Sequence, residues 1–197
     1  VEMTDLVDAQ LSDTANALLG CDIRLAEQVL RQDDEIDAME LAIDHQCERI
    51  LALQQPVAVD LRLLIAAAKI NKDLERIGDQ CKNIAKTIGY IHSAPETMRT
   101  LHLGEMADLS RTMLRQVQDA FVKQDRLLAR QVIAQDQQVD RLHEANFQAL
   151  IAYGKQHPEH LEAVAHLFSV TKALERIADQ AAFAYHGHLL HVLVDHE

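Results

Sequence analysis

Residues 74–80 read LERIGDQ and residues 174–180 read LERIADQ, so one helical motif occurs twice at an offset of 100 positions. A second match aligns residues 5–37 with residues 108–140 at an offset of 103. It pairs Leu11 with Leu114 and Val29 with Val132. Two matches at two nearly equal offsets indicate an internal duplication. The chain is therefore predicted to contain two homologous halves.

The composition indicates that each half is helical. Among 197 residues there are only 6 Gly and 3 Pro, which is too few for the many turns of a β-sheet protein. Aromatic residues make up 4% of the chain, so aliphatic side chains must fill the core, as in packed helices. Helix breaks are predicted at residues 20–22, 54–56 and 157–158. Each half is therefore predicted to contain about three helices.

The predicted fold is all-α, a tandem duplication of two three-helix bundles related by pseudo-twofold symmetry. The segment HSAP at residues 92–95 is the predicted boundary, giving a first repeat of residues 1–92 and a second repeat of residues 93–197. Asp22 is the predicted N-cap of the second helix. The third helix is predicted to run from about Val57 to Gly89, with Pro56 in its first turn.

The charge balance limits the class of partner. The formal net charge of −12 repels nucleic-acid phosphates and anionic lipid headgroups, so neither is expected as a partner. The longest apolar run of the third helix, residues 63–68, is far shorter than a membrane-spanning helix. The three cysteines form no Cys-x-x-Cys pair, which favours a reduced, cytoplasmic location.

Acidic side chains one helical turn apart form the candidate site. Glu75 and Asp79 lie on one flank of the third helix, away from the apolar stripe that contains Ile77 and Cys81. Like charges at this spacing destabilise a helix slightly, so the pair requires a functional reason. The spacing occurs four times, which gives eight candidate metal ligands: Glu75, Asp79, Glu175, Asp179, Asp33, Asp37, Asp136 and Asp140. If adjacent helices bring the pairs together, the oxygens would suit iron, manganese, magnesium or zinc.

An alternative interpretation treats these carboxylates as an ordinary solvated surface. Lys72, Arg76 and Lys82 lie within four residues of Glu75 or Asp79 and could neutralise them as ion pairs. The recurrence of the motif in both halves favours metal binding over this alternative.

No pattern favours an enzyme. The sequence has no Gly-rich phosphate loop, no nucleophile elbow and no His-Glu-x-x-His motif, and it lacks the Glu-x-x-His pairs of di-iron helical bundles. Cys81 lies on the apolar stripe and is predicted to be a core residue. Histidines gather at positions 157 and 160 and again at 186, 188, 191 and 196, but no site is predicted there.

Three segments together resemble the PhoU family: QPVAVDLR at residues 55–62, KDLERIGD at 72–79 and ALERIAD at 173–179. The resemblance covers essentially the whole chain and implies two three-helix bundles. It also implies a cytoplasmic negative regulator of phosphate uptake and of the phosphate-starvation response. The implied partners are the ATPase subunit of the phosphate ABC transporter, a sensor histidine kinase and a second copy of the chain. A peripheral membrane position through these partners is part of that expectation.

The resemblance also implies metal binding by the acidic motifs, which are Glu75 with Asp79 and Glu175 with Asp179. The acidic pairs of the preceding helices, Asp33 with Asp37 and Asp136 with Asp140, also match the family pattern. The second copy departs from the family pattern at Ala178, where the first copy has Gly78, and in the segment FAYHGH at residues 183–188. The chain begins with Val1 and its opening helix is short for the family, which is consistent with a trimmed N-terminus.

The leading hypothesis is a metal-binding regulatory adaptor that has no catalytic activity. The alternative is a structural helical scaffold without metal and with unrelated partners. A third hypothesis, an oxygen-activating metal enzyme, would require histidines or open coordination positions beside the carboxylates.

Overall fold

The computed structural model describes residues 1–91, 95–123 and 128–184, and within these ranges all of the regular secondary structure is helical. The helices are α1 (Glu2–Gly20), α2 (Ile23–Gln54), α3 (Ala58–Ile91), α4 (Pro95–Thr100), α5 (Leu103–Lys123), α6 (Leu128–Gln156) and α7 (Leu161–Phe183), with a 3-10 turn at Pro158–His160. The prediction of an all-α fold is confirmed. None of the described helices has the length and hydropathy needed to cross a membrane.

The duplication is visible in the core. Helices α1–α3 form one bundle and α5–α7 form the other. Residues matched at the two offsets are buried equally, as shown by Leu11 with Leu114, Ala17 with Ala120, Val29 with Val132, Leu74 with Leu174 and Ile77 with Ile177. Apart from Ala120, these buried residues belong to one continuous cluster. The same apolar positions therefore build both bundles and the contact between them.

The two bundles meet through equivalent helices. Helix α1 packs against α5 and α3 packs against α7. Asp8 and Arg111 are equivalent positions at the offset of 103, and they contact each other, with Arg111 Nε donating to Asp8 Oδ1 at 3.1 Å. This contact places the pseudo-twofold axis between α1 and α5. Helix α2 packs on α3 and helix α6 packs on α7, so each acidic pair of α2 or α6 faces a helix that carries another pair.

The helix ends agree with the sequence in part. Asp22 caps α2 as predicted, because its Oδ1 accepts hydrogen bonds from the backbone N–H groups of Arg24 and Leu25. Helix α3 begins at Ala58, so the prediction that Pro56 lies in its first turn was wrong. Gln55 ends α2 with a left-handed backbone conformation, φ 46°, as is common for the residue that follows a helix.

The connection between the bundles contains the short helix α4, which the sequence did not predict. The predicted boundary at residue 92 lies outside the described residues. The division into residues 1–92 and 93–197 stays a prediction.

Gly78 of the first repeat lies in a closely packed position. A Cβ atom on Gly78 would lie 3.2 Å from Gln10 Oε1 and 3.3 Å from Ile36 Cγ2, which is closer than ordinary van der Waals contact. At the offset of 103, Ile36 corresponds to Val139, which is one carbon smaller. Gln10, the nearer neighbour, corresponds to Met113, so the side chains at both neighbouring positions differ between the repeats. The departure at Ala178 coincides with these differences, while the acidic residues of the motif are unchanged.

Candidate metal centre

Helices α6 and α7 bring three carboxylates of the second repeat together. Asp140 on α6 and Glu175 and Asp179 on α7 each offer an oxygen, and these oxygens all lie within 4.8 Å of one another. Asp136 lies one turn before Asp140 on α6, and its carboxylate interacts with the charges of the other three. These four residues are called the second acidic group below.

The charges of the second acidic group are poorly compensated. Burial raises the pKa of Asp136 to about 6, and the charges of Asp179, Asp140 and Glu175 contribute to that rise. Burial and the charge of Glu175 also raise the pKa of Asp179. Lys172 is nearby, with its Nζ 2.6 Å from Glu175 Oε1. Burial is the largest cause of both raised pKa values, the neighbouring carboxylates add to them, and Lys172 and Arg176 oppose the rise at Asp179.

The corresponding carboxylates of the first repeat have cations among them. Asp33, Asp37, Glu75 and Asp79 are called the first acidic group. The ammonium of Lys82 on α3 pairs with the carboxylate of Asp33 on α2, which is only 1% exposed. Burial and the charge of Asp33 raise the pKa of Asp37, while Lys82 opposes that rise.

A second lysine occupies the other end of the first acidic group. Lys72 Nζ lies 3.2 Å from Glu75 Oε2 and 3.5 Å from Glu40 Oε1, so it bridges α3 and α2. Arg76, the third cation near the motif in sequence, pairs with Asp73 at 3.4 Å. The ion pair between Lys72 and Glu75 that the solvated-surface interpretation expects is therefore present, whereas Lys82 pairs with a carboxylate of another helix.

The two groups thus differ in how their charges are placed although their acidic residues match. Lys82 corresponds to Ala182 at the offset of 100, and Glu40 corresponds to His143 at the offset of 103. The second group therefore lacks the lysine that pairs with Asp33. The missing lysine is visible in the sequence as Ala182, three residues after Asp179. The sequence analysis did not use it, because position 182 is not part of the repeated acidic spacing.

The donor set of the second acidic group fits a metal ion. It consists of carboxylates, which are the preferred ligands of hard cations. Asp136 Oδ1 and Glu175 Oε2 are buried and have no hydrogen-bond partner within the described part of the chain. Buried oxygens without a partner are costly, and a cation would satisfy them. The first acidic group fits less well, because the ammonium of Lys82 already pairs with Asp33 there.

The raised pKa of Asp136 predicts a pH effect in metal-free protein. Because the folded state holds this proton up to about pH 6 while the unfolded state releases it near pH 4, stability from this group falls as the pH rises between those values. The variant Asp136→Asn lacks this titration. We expect its free energy of unfolding, relative to wild type, to increase between pH 4 and pH 7. Urea unfolding in the presence of a chelator measures it, and a pH-independent difference would contradict the prediction.

The fold and the site define a class: all-α proteins of two repeated three-helix bundles, with an acidic group between the last two helices of each repeat. The family model described as PhoU domain matches residues 1–88 and 103–182. The chain belongs to the PhoU family.

Individual relatives agree with this assignment. A Pseudomonas aeruginosa protein described as a phosphate-specific transport system accessory protein PhoU homolog is 37% identical over 183 residues, covering 91% of this chain and 74% of that protein. The crystal structure of PhoU from Pseudomonas aeruginosa has a TM-score of 0.87 at 34% identity, covering 100% of this chain and 93% of that chain. The crystal structure of the phosphate transport system regulatory protein PhoU from Streptococcus pneumoniae has a TM-score of 0.88 at 28% identity, covering 98% of this chain and 91% of that chain.

Proposed function

We propose that this chain is a metal-binding regulatory adaptor of phosphate uptake and phosphate-starvation signalling. As a PhoU-family member it is an accessory protein of phosphate transport, in line with the descriptions of its relatives. In the proposed role it acts as a negative regulator, together with the ATPase of the phosphate ABC transporter and a sensor histidine kinase. It works in the cytoplasm as a homodimer, by binding rather than by catalytic turnover.

The observation that carries the proposal is the clustering of carboxylates in the second acidic group, where two buried oxygens have no hydrogen-bond partner among the described residues. Asp136, Asp140, Glu175 and Asp179 would hold the ion, which supplies positive charge between α6 and α7. The first acidic group, in which Lys82 stands among the carboxylates, would bind metal more weakly. Iron, manganese and magnesium suit the oxygen donors, and zinc is also compatible with them.

Metal binding would act on the partners through the arrangement of two helices. The acidic residues of the second group are divided between α6 and α7, so mutual repulsion pushes the two helices apart at this point. An ion bound by both helices removes that repulsion and fixes their relative position. The polar faces of these helices are then presented in one arrangement, and the net charge of −12 favours partners with a basic docking surface.

A matched pair of variants tests the proposal. Metal-free, untagged protein is titrated with Mn²⁺, Fe²⁺ or Mg²⁺ while its melting temperature is recorded. At a hundred times the dissociation constant, binding adds about 2.7 kcal/mol, which corresponds to a rise of roughly 5–10 °C for a chain of this size. We expect Glu175→Gln with Asp179→Asn to lose the rise. The matching change in the first repeat, Glu75→Gln with Asp79→Asn, should keep most of it.

The same proteins test the link to phosphate transport. Binding to the transporter ATPase is measured with metal and with a chelator, and circular dichroism confirms that each variant is folded. The proposal expects tighter binding with metal, and no metal response in the variant of the second repeat. Absence of both the melting shift and ATPase binding would favour the structural scaffold.

A further inference from the structure

The turn between α6 and α7 gathers a second type of metal-binding residue. Helix α6 closes with a hydrogen bond from His157 N–H to the Tyr153 carbonyl at 2.9 Å, and Pro158 then begins a 3-10 turn. The N–H of His160 donates to the His157 carbonyl at 3.0 Å and closes that turn. In a 3-10 turn, side chains three residues apart lie on the same side. The rings of His157 and His160 accordingly stack, with their centroids 5.8 Å apart.

Glu159 adds a carboxylate to this pair of imidazoles. Its Oε1 lies 3.3 Å from His157 Nδ1. One donor atom from each of His157, Glu159 and His160 can be chosen such that all three lie within 4.8 Å of one another. Two ligands of a tetrahedral zinc ion, each about 2.0–2.1 Å from the metal, are themselves about 3.4 Å apart. The separation between His157 and Glu159 is therefore that of two ligands of one ion.

Tyr153 holds the second imidazole in place. Its hydroxyl lies 2.6 Å from His160 Nδ1, and its ring contacts that of His157 in a tilted arrangement with centroids 4.4 Å apart. The tautomer of His160 that donates its Nδ1–H to the tyrosine oxygen leaves Nε2 unprotonated and free to bind a metal. A hydrogen bond to the second ring nitrogen is the usual support of a histidine that ligates a metal.

We propose that His157, Glu159 and His160 form a site for a transition-metal ion of the zinc class, with Tyr153 as its positioning residue and water completing the coordination. Imidazole nitrogens select such ions, whereas the all-carboxylate second acidic group suits harder ones. Asp140 and His157 are 17 residues apart on α6 or at its end, which is about 25 Å along a helix. The two sites are therefore separate in position and in chemistry.

The turn is open enough for an ion to enter. The side chains of His157 and Glu159 are 39% and 63% exposed. The chain also contains an ordinary exposed pair for comparison, in which His45 Nδ1 lies 3.5 Å from Glu48 Oε2. Within the described residues, this pair belongs to no group of three potential metal ligands. His45 is therefore a matched control for the two histidines of the turn, because it pairs with a carboxylate but has no third potential ligand beside it in the described part of the chain.

Zinc and cobalt titrations of untagged full-length protein test the site. In the background protein, asparagine replaces His186, His188, His191 and His196, because these histidines lie outside the described residues and would compete for the metal. We expect this background to bind Zn²⁺ and to give the intense visible absorption of four-coordinate Co²⁺. His157→Asn with His160→Asn should weaken that binding at least tenfold and remove the absorption, while His45→Asn changes neither.

Two further outcomes decide the assignment. Tyr153→Phe should weaken zinc binding about tenfold while keeping the cobalt spectrum, because it removes only the hydrogen bond to His160. Glu175→Gln with Asp179→Asn should leave the spectrum unchanged, so failure of the acidic-group proposal would not affect this one. The proposal is overturned if the background shows no such absorption, or if it persists at the same affinity without His157 and His160.

Discussion

Replacing Ala182 with Lys is expected to abolish tight metal binding by the second acidic group. Position 182 corresponds to Lys82, whose ammonium lies among the carboxylates of the first repeat. A divalent ion entering the variant would meet a positive charge a few ångströms away. A divalent ion and a unit charge about 4 Å apart repel each other by about 8 kcal/mol at the effective dielectric constant near a protein surface, and solvent screening at this partly exposed position reduces that value, so affinity should fall by a factor on the order of one hundred or more.

The measurement is a calorimetric titration of Ala182→Lys with Mn²⁺, with Ala182→Met as the matched control. Methionine adds a side chain of comparable length without charge, so it should retain metal binding if charge is the cause. In chelator, we expect Ala182→Lys to be at least as stable as wild type, because the ammonium reduces the repulsion that raises the pKa of Asp136. Equal Mn²⁺ affinity in wild type and Ala182→Lys would contradict the prediction.

The duplication and the acidic pairs could be predicted because both are periodic. Helical spacing fixes which side chains share a flank, and it correctly placed Ile77 and Cys81 in the core. Burial raises the pKa of the Cys81 thiol to about 12, as expected for a core residue without nucleophilic character. Equivalent residues at the two offsets proved equally buried because one packing pattern was used twice.

The assignment of cations to carboxylates could not be predicted, because it depends on contacts between helices. Lys82 is close in sequence to Asp79, yet it pairs with Asp33 on another helix. Lys72 likewise reaches Glu40 on α2 as well as Glu75 on its own helix. Spacing along one helix gives the set of candidate partners, and only the packing of α2 on α3 selects among them.

The turn at residues 157–160 was overlooked for a related reason. Histidines three residues apart are on one side of a 3-10 turn, but the sequence does not reveal whether the chain forms such a turn after α6. Pro158 ends α6 and imposes the tight geometry, and Glu159 then lies beside His157. The position of Tyr153 one turn earlier, at the end of the same helix, supplies the hydrogen bond to His160.

Removing Lys82 is expected to have the opposite effect from placing a lysine in the second repeat. In metal-free protein, Lys82→Ala leaves Asp33 buried without its ammonium partner. Breaking one side of a fully buried ion pair costs about 3–5 kcal/mol, and because the Lys82 side chain is 29% exposed we expect about 2–3 kcal/mol here. Urea unfolding in chelator measures this loss. Lys86→Ala, which removes an exposed lysine one turn further along α3, should change stability by less than about 0.5 kcal/mol.

The decisive step is to add metal to the Lys82→Ala protein. Without Lys82, the first acidic group resembles the second, with carboxylates on α2 and α3 and no ammonium paired with Asp33. Mn²⁺ should then restore most of the lost stability and raise the number of tightly bound ions per chain above the wild-type value. Asp33→Asn in the Lys82→Ala background removes the buried charge, so it should recover stability without metal and lose the added binding. If Lys82→Ala is destabilised in chelator but gains no bound ion, Lys82 stabilises the fold but its ammonium does not occupy a potential metal site.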